Sequence, residues 1–184
     1  MKKLALLLSL AFSINAFSQI EKPVTKGNII LSGGGAISHV KNSYSTGGSN
    51  TSFINCTLSP GFSYFILDNF AIGLNTNLEY SGLTNNKTYT LGIGPKVKFY
   101  FNNGLFVNAE VSYNSLHGIS NTSNKATFFA FKPGIGYAIF LNQKVSLEPG
   151  IFYEVKNGKY HISYGPADYK TSTISLDIHL NVFF

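Results

Sequence analysis

The chain has 184 residues, with 18 Gly, 16 Phe and 11 Tyr but no Trp, and a formal charge of +6. Its basic residues are all lysines, in no basic run, so the bidentate phosphate contacts of a nucleic-acid reader have no source. The single cysteine, Cys56, excludes an internal disulfide and a thiolate metal site.

At the amino end, Lys2 and Lys3 precede an apolar run from Leu4 to Ile14, and Ala16-Phe17-Ser18 presents small residues two apart. This pattern predicts a secretion signal over 1–18, cleaved before Gln19. The run is well short of the roughly 20 apolar residues of a transmembrane helix, and no later stretch reaches that length. Residues 19–184 then form one domain, with no Pro/Ser-rich linker to divide it, and any membrane crossing falls to strands.

Alternating segments follow at 27–40, 51–66, 70–81, 88–101, 104–115, 126–141, 144–156 and 172–184. The connections Leu67-Asp68-Asn69, Asn102-Asn103 and Leu141-Asn142-Gln143 are tight turns. Those at 41–50, 82–87, 116–125 and 157–171 are longer and rich in Ser, Thr, Asn and Gly. Short turns on one rim and long loops on the other predict an all-β fold, an eight-stranded antiparallel up-and-down transmembrane β-barrel with both termini on the short-turn side. Pro60, Pro95 and Pro133 each lead into a short turn; because proline cannot donate to a ladder, local bulges are expected around them.

Parity separates two faces. One collects Ile72, Leu74, Leu91, Ile93, Val107, Val111, Phe131, Ile135, Leu147 and Ile151, with no charge among them. The other collects Asn75, Asn77, Glu79, Lys96, Lys98, Asn108, Glu110, Lys132, Glu148, Glu154, Asp177, His179 and Asn181. A water-soluble barrel would bury the second set. With lipid outside, the apolar face meets acyl chains and the charged face closes on itself in the lumen. An eight-stranded barrel is only wide enough for side chains. The expected lumen is therefore a polar plug of Glu79, Lys96, Lys98, Glu110, Lys132, Glu148, Asp177 and His179, with the three lysines compensating Glu110, Glu148 and Asp177. Aromatic residues near both strand ends, Tyr64, Phe99, Phe101 and Tyr137 on one side and Tyr80, Tyr89, Tyr113 and Tyr153 on the other, fit interfacial girdles.

Other motifs carry less. Ser32-Gly33-Gly34-Gly35-Ala36 has no following helix and no Lys-Ser/Thr pair, so it reads as a closely packed first strand rather than a phosphate loop. His39, His117, His161 and His179 have no metal-ligand spacing, and the chain implies no cofactor.

The leader, the alternating strands, the hairpins Pro60-Gly61-Phe62-Ser63-Tyr64 and Pro133-Gly134-Ile135-Gly136-Tyr137, the Asp68-Asn69 turn and the closing Leu180-Asn181-Val182-Phe183-Phe184 resemble the OmpA/OmpX-type family of small outer-membrane barrels, particularly those of Bacteroidetes-like bacteria. The resemblance implies a place in the outer membrane of a Gram-negative bacterium, contact with outer-membrane lipid and lipopolysaccharide, and assembly by the barrel-assembly machinery reading Phe184. It also implies a non-enzymatic role, structural or adhesive, with loops 41–50, 82–87, 116–125 and 157–171 offered to an extracellular ligand. A narrow pore for small solutes is one alternative. The other is a lipid A-modifying hydrolase: His161-Ile162-Ser163 resembles the His-x-Ser pair of the outer-membrane lipid A deacylases, although Tyr164 stands where those enzymes continue with Asn and no carboxylate completes the set.

Overall fold

The computed structural model describes residues 22–42, 51–82, 87–118, 125–162 and 165–184. The leader predicted over 1–18 lies outside them, as does Ser163. The strand segments are β1 (Ile29–Asn42), β2 (Thr51–Leu67), β3 (Phe70–Gly82), β4 (Lys87–Tyr100), β5 (Leu105–Gly118), β6 (Lys125–Tyr137), β7 (Ile139–Asn142), β8 (Val145–Ile162) and β9 (Gly165–Phe183). Each runs antiparallel to its neighbours, and β1 pairs with β9 to close the cylinder. β6 and β7 are one barrel strand interrupted at Ala138: both pair with β8, Gly136 opposite Gly150 and Ile139 opposite Leu147, in one unbroken register. The result is a closed eight-stranded all-β barrel.

The alternation in sequence is the alternation in space, because successive side chains of a strand point to opposite faces. Leu74, Leu91, Ile93, Phe129, Ile135 and Ile151 all face outward and are at least half exposed. On β4 the outward band runs from Tyr89 to Phe99, which at about 3.4 Å per residue and a tilt near 40° spans roughly 25 Å, the height of a lipid-facing apolar belt.

The prolines sit in the strands without bulges. Leu58 pairs with Leu78 and Gly61 with Asn75, so the ladder skips the pairs beside Pro60 yet keeps its register. The same skip without a shift occurs beside Pro95 and Pro133. A residue in an antiparallel sheet directs its N–H toward only one neighbour, so proline costs a single ladder bond and need not displace the chain. At Pro60 the Thr76 hydroxyl donates to the proline carbonyl at 2.9 Å. Bulges belong elsewhere, at Phe65–Leu67 and Phe140–Asn142, each beside a short turn.

Glycines allow the narrow bore. A Cβ on Gly94 would overlap the Val111 carbonyl, and one on Gly73 the Phe62 carbonyl, so side chains there would force adjacent strands apart. The turn at Asp68–Asn69 uses a left-handed Asn69 (φ 66°), and the turn ending at Gly104 uses φ 93°.

Among the described residues, the long-loop rim departs from expectation at 157–171. The segment 157–171 is mostly strand: β8 and β9 remain paired out to Ile162 opposite Gly165. Here the outward positions Asn157 and Lys159 are polar and the inward ones are Lys156 and Gly158, so Lys156-Asn157-Gly158-Lys159 forms a ladder without the apolar alternation that would announce it.

Candidate functional site

The inward faces build two storeys. At the short-turn end, Ile30, Phe65, Tyr100, Phe106, Phe140 and Phe183 pack with Ala71, Ala138 and Val24 into a buried cluster. Ring centroids lie 5.9 Å apart for Phe65 and Tyr100 and 5.7 Å for Phe140 and Phe183. Val24 belongs to a lead-in segment laid across the mouth. Its carbonyl accepts the Asn69 N–H at 2.7 Å, Gly27 N–H donates to the Phe65 carbonyl at 2.9 Å, and Lys26 N–H donates to the Asp68 carboxylate at 2.8 Å.

Above this layer lies Glu148, wholly buried. Lys98 pairs with its Oε2, while Tyr100 Oη at 2.8 Å and Ser146 Oγ at 2.9 Å donate to its Oε1. Lys98 also stands over the Phe106 ring, with Nζ 4.0 Å from the centroid, so the cation is shared between a carboxylate and a π face. A charge buried this deeply is tolerated only with a partner and with its remaining lone pairs satisfied, and Glu148 has both.

Further outward, Lys132 pairs with Asp177 at 2.6 Å and lies over Phe152. Lys156 bridges Glu79 at 3.4 Å and Glu154 at 3.2 Å. Glu110 accepts from two amides: Asn75 Nδ2 donates at 2.8 Å and Asn108 Nδ2 at 3.1 Å. Lys96, though opposite Glu110 in register, donates to Ser32 Oγ at 2.8 Å. His179 occupies the space above Gly34, where a Cβ would collide with its ring, and packs on Phe152 with centroids 5.6 Å apart. That accounts for the glycine of the first strand which faces the lumen. A cavity of about 520 Å³, lined by Glu79, Glu110, Lys132, Glu154, Lys156 and Asp177 among others, fills the outer storey.

Of the lysines expected to compensate acids, Lys98 and Lys132 each contact one, Glu148 and Asp177, whereas Lys96 donates to a hydroxyl and acts on Glu110 through its charge alone. Sequence reasoning missed Tyr100, Ser146 and the bridging Lys156. Tyr100 was legible, since it shares the parity of Lys96 and Lys98 on β4. It also assigned no role to Phe183, which is buried in the lumen cluster while the neighbouring Phe184 faces outward, its N–H bonded to the Ile29 carbonyl at 3.0 Å. The His161 and Ser163 side chains lie outside the described residues.

No family model and no curated protein matches the sequence. Among solved structures, the chain is similar to Neisserial surface protein A at 11% identity and TM-score 0.59, over 86% of this chain and 98% of that one. It is also similar to the outer membrane protein AlkL, solved in lipid bilayers, at 10% identity and TM-score 0.53, over 87% and 91%. Its apolar exterior, charged lumen and closed ladder of eight strands give this chain the fold of the OmpA/OmpX-type small outer-membrane β-barrels.

Proposed function

We propose that the chain is a non-enzymatic, non-conducting barrel of a Gram-negative outer membrane, and that its long-rim hairpins carry out surface contact while the barrel holds them. The observation that supports this reading is the closed short-turn end: beneath the cavity, the lumen is filled first by the Glu148 cluster and then by the aromatic layer capped with Val24. A solute entering from the long-loop rim meets packed rings. The paired extension of β8 and β9 to Ile162 and Gly165 supplies a stiff projection rather than a slack loop, which lowers the ordering cost of binding a partner.

The test is twofold. Refolded protein in planar bilayers gives no unitary conductance, and replacing 157–171 by a two-residue Asn-Gly turn leaves the barrel folded while abolishing attachment of intact cells to a host-cell or phage surface. Stable channels in the bilayer, or attachment unaffected by that replacement, would overturn the reading. Release of fatty acid from purified lipopolysaccharide, lost in Ser163→Ala, would instead make the chain a hydrolase.

A further inference from the structure

On one side of the barrel the outward face turns basic where the apolar band ends. The outward parity of β4 runs from Leu91 through Tyr89 to Lys87, and all three are exposed. On β5 and β6 the matching positions are Ser115 and His117, then Thr127 and Lys125. Register makes these side chains neighbours: Tyr89 lies opposite His117 and His117 opposite Lys125, while Leu91 lies opposite Ser115 and Ser115 opposite Thr127. Residues directly opposite on one face of an antiparallel pair have Cβ atoms about 4.5–5.5 Å apart, so these rows form one continuous patch.

The patch is held in place by its own contacts. His117 stacks on Tyr89 with ring centroids 5.2 Å apart and planes 18° from parallel, and its Nε2 lies 2.8 Å from Ser115 Oγ. When Nε2 carries the proton and donates to Oγ, the Ser115 O–H is free to donate outward. Lys125 is exposed and forms no ion pair among the described residues. β4, β5 and β6 carry a single acid, Glu110, and it is buried in the lumen. No carboxylate of these strands therefore offsets Lys87 and Lys125. Tyr89 ends the apolar band of β4, so His117 and Lys125 stand where hydrocarbon gives way to lipid head groups. Beneath them the same face continues as Leu91, Ile93, Tyr113 and Phe129, all exposed.

We infer that the β4–β6 face binds a lipid with an anionic phosphate head group from the leaflet beside the long-loop rim. Lys87, Lys125 and the Ser115 and Thr127 hydroxyls donate to the phosphate oxygens, and the acyl chains lie along Leu91, Ile93 and Phe129. Charge-assisted bonds from ammonium to phosphate supply the attraction, and the apolar face below fixes where the head can sit. A zwitterionic choline head is disfavoured, because it brings its own cation against the two lysines. The inference stands apart from the proposed surface contact, which uses the β8–β9 hairpin and not this face.

The chain has no Trp, so one introduced Trp reports its lipid neighbours. In phosphatidylcholine nanodiscs with a minor fraction of phosphatidic acid, the fluorescence of Leu91→Trp is quenched by whichever lipid carries brominated chains. The ratio of the two quenching efficiencies, corrected for mole fraction, gives the preference. Phosphatidic acid should be favoured about fivefold or more, the effect of roughly one lysine beside an anionic lipid. At Ile178→Trp on β9, four strands away in either direction around the barrel, the ratio should be near unity. Lys125→Gln combined with Ser115→Ala should abolish the preference at Leu91→Trp, and Lys125→Arg should keep it. All are outward-facing changes, and folded protein is selected by its heat-modified band. Inorganic phosphate, compared with chloride at equal ionic strength, should leave the preference in place. An equal preference at the two Trp positions, or one that survives the Lys125→Gln, Ser115→Ala double variant, overturns a site on this face. If inorganic phosphate abolishes the preference, the face takes free phosphate and the lipid assignment falls.

Discussion

Glu148 exposes no surface, so its charge rests entirely on Lys98, Tyr100 and Ser146. Removing the cation strands a carboxylate in a dry layer, and Lys98→Met is expected to cost about 3–5 kcal/mol in urea unfolding from detergent or lipid. Lys132→Met should cost less, because Asp177 borders the open cavity where water can replace the lysine. The double variant Lys98→Met, Glu148→Gln should recover much of the loss, since neither charge then remains. If Lys98→Met leaves the unfolding midpoint unchanged, Glu148 is not held by this lysine. The partners in this layer were only half legible from the sequence. Parity put lysines and acids on one face, but which lysine meets which acid depends on strand tilt around the cylinder, and that is a property of closure rather than of any one strand.

At the scale of the strand, two glycines of similar sequence context carry opposite demands. Gly94 faces the lumen and a Cβ there would overlap the Val111 carbonyl, whereas Gly33 faces outward with nothing within 4 Å of its Cβ position. Gly94→Ala should therefore prevent or severely slow refolding, read as loss of the heat-modifiable band on cold SDS gels, while Gly33→Ala refolds like the parent. The reverse ranking would mean that the bore is wider than the crowded carbonyls imply. Strand number, faces and short turns were readable because lipid outside and a polar lumen enforce strict alternation from Tyr89 to Phe99 and its equivalents. The outer ladder of β8 and β9 was not readable, because Lys156-Asn157-Gly158-Lys159 carries no apolar residue on either parity. The prolines misled for a geometric reason: sequence reveals the missing donor but not which neighbour it would have faced, and Pro60 loses only one ladder bond while Thr76 recovers its carbonyl.

For the whole molecule, a prediction of orientation follows from the difference between the two rims. The rim that carries Asp68–Asn69, Asn102–Asn103 and Gln143–Lys144 is tightly turned and is tied to both chain ends: Ile29 and Phe184 exchange backbone hydrogen bonds at 2.9 and 3.0 Å, and Lys22 reaches the Asn102 carbonyl. The opposite rim carries the β8–β9 projection. Short turns lie on the periplasmic side of such barrels, so the projection is predicted to face outward. In a Cys56→Ser background, a membrane-impermeant maleimide added to intact cells should label Lys159→Cys and spare Asn103→Cys, and permeabilising the outer membrane should expose the second site without changing the first. Labelling of Asn103→Cys alone in intact cells would invert the barrel and place the cavity and its carboxylates on the inner-leaflet side.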